Sequence, residues 1–299
     1  MNHQYRLNSV FPACIFVAII LLSFCSCSDE PADYRTAIPR HATSLVRVDN
    51  TEALASLLSL PEPVVRLLVS SQSGLDVGRP FYLFTDDDGT FGFCAAVADG
   101  EKLTQHLDTF TRLHLVSKPV VHQGCTFVTI SKKWTMAYSA HALLLLGPVA
   151  PGESEPYYRR MSRLLSAEKE ESILKAPLFL QLESLTDKMA LVTRVETLPT
   201  PLQRHALKGV PPQTVPSAVC VAARLSLSHG ILQIDATPFS FSRTLNEAIG
   251  RHLQKLQPDT LTLLFQKDEE LPVLSRLAGV SYRLRTEPVK IFQKETENQ

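Results

Sequence analysis

The chain has 299 residues, 44% of them hydrophobic and 20% charged, enough apolar material for one large core or two ordinary ones. Thirty basic side chains face thirty acidic ones, and only Arg6 precedes Cys27, so the part beyond that cysteine carries 30 − 1 = 29 basic against 30 acidic groups. Near-neutrality without a basic block removes the electrostatic footprint of nucleic-acid binding, and equally that of a polybasic membrane patch.

Residues 1–27 hold the most specific pattern in the chain. A short, weakly cationic start up to Arg6 leads into an apolar run of about 15 residues, 10–24, containing Ile15, Phe16, Val17, Ile19, Ile20, Leu21 and Leu22. That is short of the roughly 20 residues needed to cross a bilayer. The run ends in Phe24-Cys25-Ser26-Cys27 and passes at once into Ser28-Asp29-Glu30-Pro31. Small residues before a cysteine, then a polar turn-prone segment, resemble the lipobox of bacterial lipoproteins. The resemblance implies cleavage before Cys27 and acylation of it; Phe24 stands where an aliphatic residue is usual. Cys25 is the poorer site because Phe24, just before it, is too large for the cleavage position. Each buried methylene of an acyl chain contributes ~0.8 kcal/mol, so several chains anchor a protein without a transmembrane helix. Ser28, Asp29 and Glu30 resemble the acidic export tag that sends some Bacteroidetes lipoproteins to the outer cell face, although any polar linker has this composition. The expected address is the cell envelope, as an outer-membrane lipoprotein, periplasmic or surface-exposed.

Residues 28–40 read as a tether. Leu45-Val46-Arg47-Val48 forms a strand ending at Asp49, and Asp49 and Glu52 have capping-box spacing ahead of a helix bearing Leu54, Leu57 and Leu58. Pro61 and Pro63 break it, and residues 64–69 form a second short helix. Strands at 81–84 and 91–97 flank Asp86-Asp87-Asp88-Gly89, a hairpin turn in which glycine accepts positive φ. Three adjacent aspartates also suggest calcium, but the alternating acids and distal glutamate of an EF-hand loop are missing, which leaves a solvated tip. Asp99 caps a helix with Leu103, Leu107 and Phe110 on one face. Strands follow at 120–122, 125–130 and 134–139, the last alternating Trp134, Met136 and Tyr138 with smaller residues, and an apolar strand covers 142–146.

Residues 154–174 read as a helix with Ser154 as cap. After Pro177, the alternation of Leu178, Leu180 and Leu182 predicts a strand, with 189–195 as its partner. Residues 197–216 hold five prolines (Pro199, Pro201, Pro211, Pro212, Pro216) and mark a long loop or domain boundary. A hairpin, 219–226 and 231–237, turns at His229-Gly230, and a helix at 244–256 and a strand at 261–265 follow, with a frayed end from 294. The class is α+β, mostly antiparallel sheets with helices between β-hairpins. Its expected domains are 41–196 and a smaller 217–293. An internal echo, residues 39–58 against 258–277 with six identities such as Thr43/Thr262 and Asp49/Asp268, suggests a duplicated module whose second copy is incomplete.

The run Ala37-Ile38-Pro39-Arg40-His41-Ala42-Thr43-Ser44-Leu45-Val46-Arg47-Val48-Asp49 resembles the opening of an uncharacterised family of Bacteroidetes lipoproteins. There an Ile-Pro, small-residue, strand, Asp element follows the lipidated cysteine. Gly74-Leu75-Asp76-Val77-Gly78-Arg79-Pro80-Phe81-Tyr82 and the next hairpin also resemble it, over roughly residues 25–195. The resemblance implies an exported α+β domain and brings no activity with it.

No nucleophile elbow, phosphate-binding glycine loop or His-Glu-x-x-His stands in the chain. Cys94, Cys125 and Cys220 read as small buried hydrophobes, with a Cys94–Cys125 bridge as the alternative. His106, His114 and His122 recur every eight residues but fall on a helix, a loop and a strand, which is no ligand spacing. No catalytic, cofactor or metal residue is expected. The leading expectation is a non-catalytic envelope lipoprotein with a binding or scaffolding role, joined to the membrane by its lipid and to a protein or glycan partner. The rivals are a surface glycan or nutrient binder using Trp134 and Tyr138 as a platform, and a hydrolase whose site is assembled from distant residues. Cys27→Ala is expected to abolish metabolic labelling with a fatty-acid analogue and to leave the precursor unprocessed; persistent labelling would place the acyl group elsewhere.

Overall fold

The computed structural model describes residues 32–49, 70–130, 133–149, 154–169, 172–265 and 277–291. Cys27, Ser28, Asp29 and Glu30 lie outside the described residues, as do the helices expected at 54–58 and 64–69. Twelve strands form one sheet: β1 (Ser44–Val48), β2 (Phe81–Thr85), β3 (Phe91–Ala96), β4 (Val120–His122), β5 (Cys125–Ile130), β6 (Trp134–Tyr138), β7 (Ala142–Gly147), β8 (Met189–Arg194), β9 (Cys220–Ser228), β10 (Ile231–Phe239), β11 (Asp259–Leu264) and β12 (Gly279–Leu284). Their spatial order is β11-β12-β10-β9-β8-β1-β2-β3-β7-β6-β5-β4. Every neighbouring pair is antiparallel except β10 and β12, which run parallel. The α+β class is the one expected.

Helices lie on both faces. One face buries Leu103, Leu107 and Phe110 of α1 (Gly100–Arg112), Leu202 and Ala206 of α4 (Thr200–Leu207), and Ile249 and Leu253 of α5 (Arg243–Leu253). The other face is covered by a 3₁₀ turn at Tyr34–Ala37, by α2 (Ser154–Leu165) through Met161, and by α3 (Pro177–Glu183) through Leu178, Phe179 and Leu182. Double cover explains why β7 has no polar alternation: all six of its residues are buried. Over β9–β12 the second face lacks a helix, and polar side chains fill it. Asp235 pairs with Arg283 across the strands, Ser226 donates to Gln233, and Thr262 meets Ser281.

Several expectations are corrected. Residues 28–40 are not a tether throughout, because the fold has begun by Asp33. Its carboxylate accepts from Arg35 N, while Tyr34, Ala37 and Ile38 are buried and Tyr34 Oη donates to Pro80 O at 2.7 Å. Leu178–Leu182 is helix, not strand: Pro177 occupies the first turn, and the buried set Leu178, Phe179, Gln181, Leu182 has helical spacing. The alternating leucines were a coincidence within that stripe, and β8 pairs with β1 and β9 instead. The helix expected at 154–174 stops at Leu165. Residues 197–216 are not a domain boundary. Pro199 and Pro201 begin α4, where a missing N–H costs nothing, and the sheet runs unbroken from β8 to β9, so 33–299 is one unit.

The echo of 39–58 in 258–277 does not mark equivalent strands. An offset of 219 carries β1 to 263–267, whereas β11 is Asp259–Leu264. β1 is paired on both sides; β11 joins the sheet as expected, but as its edge strand. A different internal likeness is present. β1, β2 and β3 form a meander followed by α1; β8, β9 and β10 form another followed by α5, on the same face. The two halves meet where β1 and β8 run antiparallel, an approximate two-fold relation. The first half then adds four strands and the second only two.

Phe84 lies over Gly92, its cross-strand partner in β3, so closely that a Cβ there would stand 2.1 Å from the ring. Gly92→Ala is therefore expected to cost ~1–3 kcal/mol through overpacking, measured as a lowered urea midpoint with unchanged slope.

Candidate functional site

Four strand ends meet at one end of the sheet. β1 begins at Ser44, β8 ends at Arg194, β9 begins at Cys220 and β10 ends at Phe239, side by side in register. Above them, between the start of α3 and the start of α5, lies a cleft of about 550 Å³. Arg40 and His41 enter it from the segment before β1, Lys175 from the turn before α3, and Arg194 from the end of β8. Ser217, Ser240 and Ser242 add hydroxyls, and Ala42, Leu178 and Phe241 supply apolar wall. No Asp or Glu is among the described lining residues. Arg194 lies 3.7 Å from Glu196, outside the cleft, and keeps half its side chain in solvent.

The local chain explains these positions. The Ser242 side chain makes no cap bond at the start of α5, and no acidic residue follows in the first turn. Ser242 N instead donates to Ser240 Oγ at 3.2 Å, and Ser240 N to Asn246 Oδ1 at 3.2 Å. Asn246 is itself held through Nδ2 to Val289 O. Cys220 lines the cleft floor; burial pushes its thiol up to about 11, with Arg194 offsetting part of that rise, so it stays a thiol at neutral pH. Cleft and walls suit reversible binding of a small molecule with negative charge, and no thiolate is supplied.

The residues singled out in the sequence lie elsewhere. Trp134 and Tyr138 share one face of β6, as alternation requires, but that face points into the core beneath α1. Tyr138 is 8% exposed and its hydroxyl is 2.7 Å from Thr104 Oγ1; Trp134 packs edge-on against Phe91. Half-buried alternation cannot say which face is wet, and no aromatic platform exists here. Cys94, Cys125 and Cys220 are free and buried, as small hydrophobes. His106, His114 and His122 form no cluster; among the described residues only Asp86, Asp87 and Asp88 bring three ligand atoms together. Ser228 Oγ does meet His229 Nδ1 at 2.9 Å, but the two are neighbours at an exposed hairpin turn. None of the cleft's cations was singled out in the sequence, since they come from segments spread over residues 40–194; the only local cue was the Arg40-His41 pair ahead of the first strand.

The Asp86–Asp88 tip is a hairpin turn, but it is not simply solvated. Asp86 is 6% exposed and ion-paired to Arg160 of α2; Arg160 also reaches Asp88 Oδ2 at 2.7 Å and Thr90 Oγ1 at 3.3 Å. The arginine occupies the position a calcium ion would take and ties the hairpin to the helix.

No protein-family model matches the chain, and no curated protein matches it. Two crystal forms of TP0453 resemble parts of the fold: form IV at 13% identity and TM-score 0.36, covering 65% of this chain and 76% of that one, and form III at 11% and 0.40, covering 79% and 90%. Likeness at this level carries nothing about function.

Asp86→Asn is expected to destabilise by ~1–3 kcal/mol, less than a fully buried pair would lose because Arg160 keeps part of its hydration. Millimolar calcium is expected to leave the melting temperature of the parent protein unchanged; a calcium-dependent rise would mean that the acids release Arg160 for the ion.

Proposed function

We propose that this protein is a non-catalytic lipoprotein of the cell envelope, acylated at Cys27, whose folded body binds a small ligand in the cleft at the strand ends. The cleft carries the proposal: about 550 Å³ lies within the range of small-molecule sites, with polar groups converging on it from four segments. Among the described residues no helix is long and apolar enough to cross a membrane, so lipid at Cys27 would be the attachment on this reading. Asp33 follows Cys27 by six residues, and an extended chain spans at most ~3.3–3.6 Å per residue. Once lipidated, the body would therefore stand within about 20 Å of the bilayer surface.

Ser217 is exposed at the cleft rim, so Ser217→Trp fills the cleft without disturbing the core. A thermal-shift screen of small metabolites is expected to find compounds that stabilise the parent by ~2–3 kcal/mol at a hundredfold excess over Kd and leave S217W unmoved. Equal stabilisation of both proteins would put the site elsewhere, and turnover of a bound compound would make the protein an enzyme.

A further inference from the structure

We infer that the group recognised in this cleft is a phosphate-type oxyanion, borne on a small organic body; the inference rests on the binding role proposed above and names its ligand class. Arg40, Lys175 and Arg194 bring three permanent cations to one cavity, His41 stands beside them, and no described carboxylate lines it. In a protein of zero formal net charge such one-signed convergence is not a consequence of composition. Like charges brought together repel one another and lower stability, and an anion among them reverses the sign of that interaction.

The uncharged lining points the same way. Serine hydroxyls from two segments, Ser217 and Ser240, supply donors at angles that cations alone do not. The α5 terminus presents its positive dipole end at Ser242 with neither a side-chain cap nor a first-turn acid to neutralise it. Leu178 and Phe241 give apolar wall for the rest of the ligand, so the site fits a phosphorylated organic molecule better than the bare ion. A dianion balances three cations more fully than a single carboxylate does. The same headgroup chemistry occurs in a soluble phosphate monoester and in an anionic phospholipid.

Calorimetry on the lipoprotein in non-ionic detergent, with glucose 6-phosphate, glucose and dihexanoylphosphatidylglycerol as probes, tests this. At least one of the two anionic probes is expected to bind saturably and glucose not at all, with affinity falling as salt is raised. Which anion binds separates the soluble source from the lipid. The double variant Arg40→Gln/Arg194→Gln, whose side chains are exposed and which therefore folds, is expected to lose at least tenfold in affinity; Lys175→Gln is a second, independent variant. Glucose binding as tightly as glucose 6-phosphate, and lost in S217W, would overturn the charge assignment while leaving the cleft a binding site. Binding unchanged in the charge variants would also overturn it. Failure of both anions to bind would overturn it as well, and the metabolite screen with S217W then decides separately whether the cleft binds anything.

Discussion

Arg47 sits in the middle of β1, the strand at the junction of the two halves, and is only 8% exposed. A guanidinium there must find its acceptors inside the protein, since stripping a charge of water is tolerated only when protein groups replace it. It finds them at the C-terminal end of α3: its terminal nitrogens donate to the carbonyls of Leu185 at 2.7 Å, Asp187 at 2.8 Å and Leu182 at 3.4 Å. Asp49 and Glu183 lie at 3.4 and 3.6 Å, although Nε makes no hydrogen bond. A cation at the carbonyl end of a helix is favourable on dipole grounds as well. Glu183 extends the network outward, accepting from Tyr82 Oη and Arg35 Nη1. Burial, followed by the Glu183 charge, drives the Tyr82 phenol upward, so it remains a donor at any ordinary pH.

This network fixes more than a helix end. α3 has seven residues, about 10 Å of helix, so pinning its C-terminus over β1 also sets where its first turn lies. That first turn, with Lys175 just before it and Pro177 within it, is one wall of the cleft. The same Arg35 that meets Glu183 is held by Asp33, which starts the 3₁₀ turn leading to Arg40 and His41. Two of the cleft's basic segments are thus positioned through one buried ion cluster. The third, at Arg194, is positioned by the β8 ladder, and the fourth wall by Asn246 and the chain near Val289.

The wide sheet imposes the second constraint. A sheet of twelve strands offers two large apolar faces, and helices cover one along its length and the other only over the first half. Where cover ends, on β9–β12, the exposed positions change to Arg224, Ser226, Gln233, Asp235, Ser281 and Arg283, which pair across strands. The cleft lies close to the end of that cover, at the last helix on the second face. A cavity forms there because α3 stops short of spanning the strand ends of β9 and β10.

Hairpins were the most legible part of the sequence. Asp-Gly at 88–89 and His-Gly at 229–230 turn where they were expected, with Gly89, His229 and Gly230 at positive φ. The Asp99-capped helix with Leu103, Leu107 and Phe110 was equally legible, because cap and stripe are local. Patterns with two local solutions were misread: Leu178, Leu180 and Leu182 fit a strand by alternation and a helix by their neighbours Phe179 and Gln181, and the proline-rich stretch hid α4. The sequence by itself determined the element types wherever one period dominated, the α+β class, the buried state of the three cysteines, and the lipobox resemblance at Cys27. Tertiary structure alone decided that two apparent domains share one sheet, that the Trp134–Tyr138 face is interior, and that Arg160 holds the acidic hairpin. It also decided that Arg40, Lys175 and Arg194 converge. Convergence is a property of strand order and helix docking, set by long-range pairing and by where one buried arginine finds its carbonyls, and no local window of sequence carries that information.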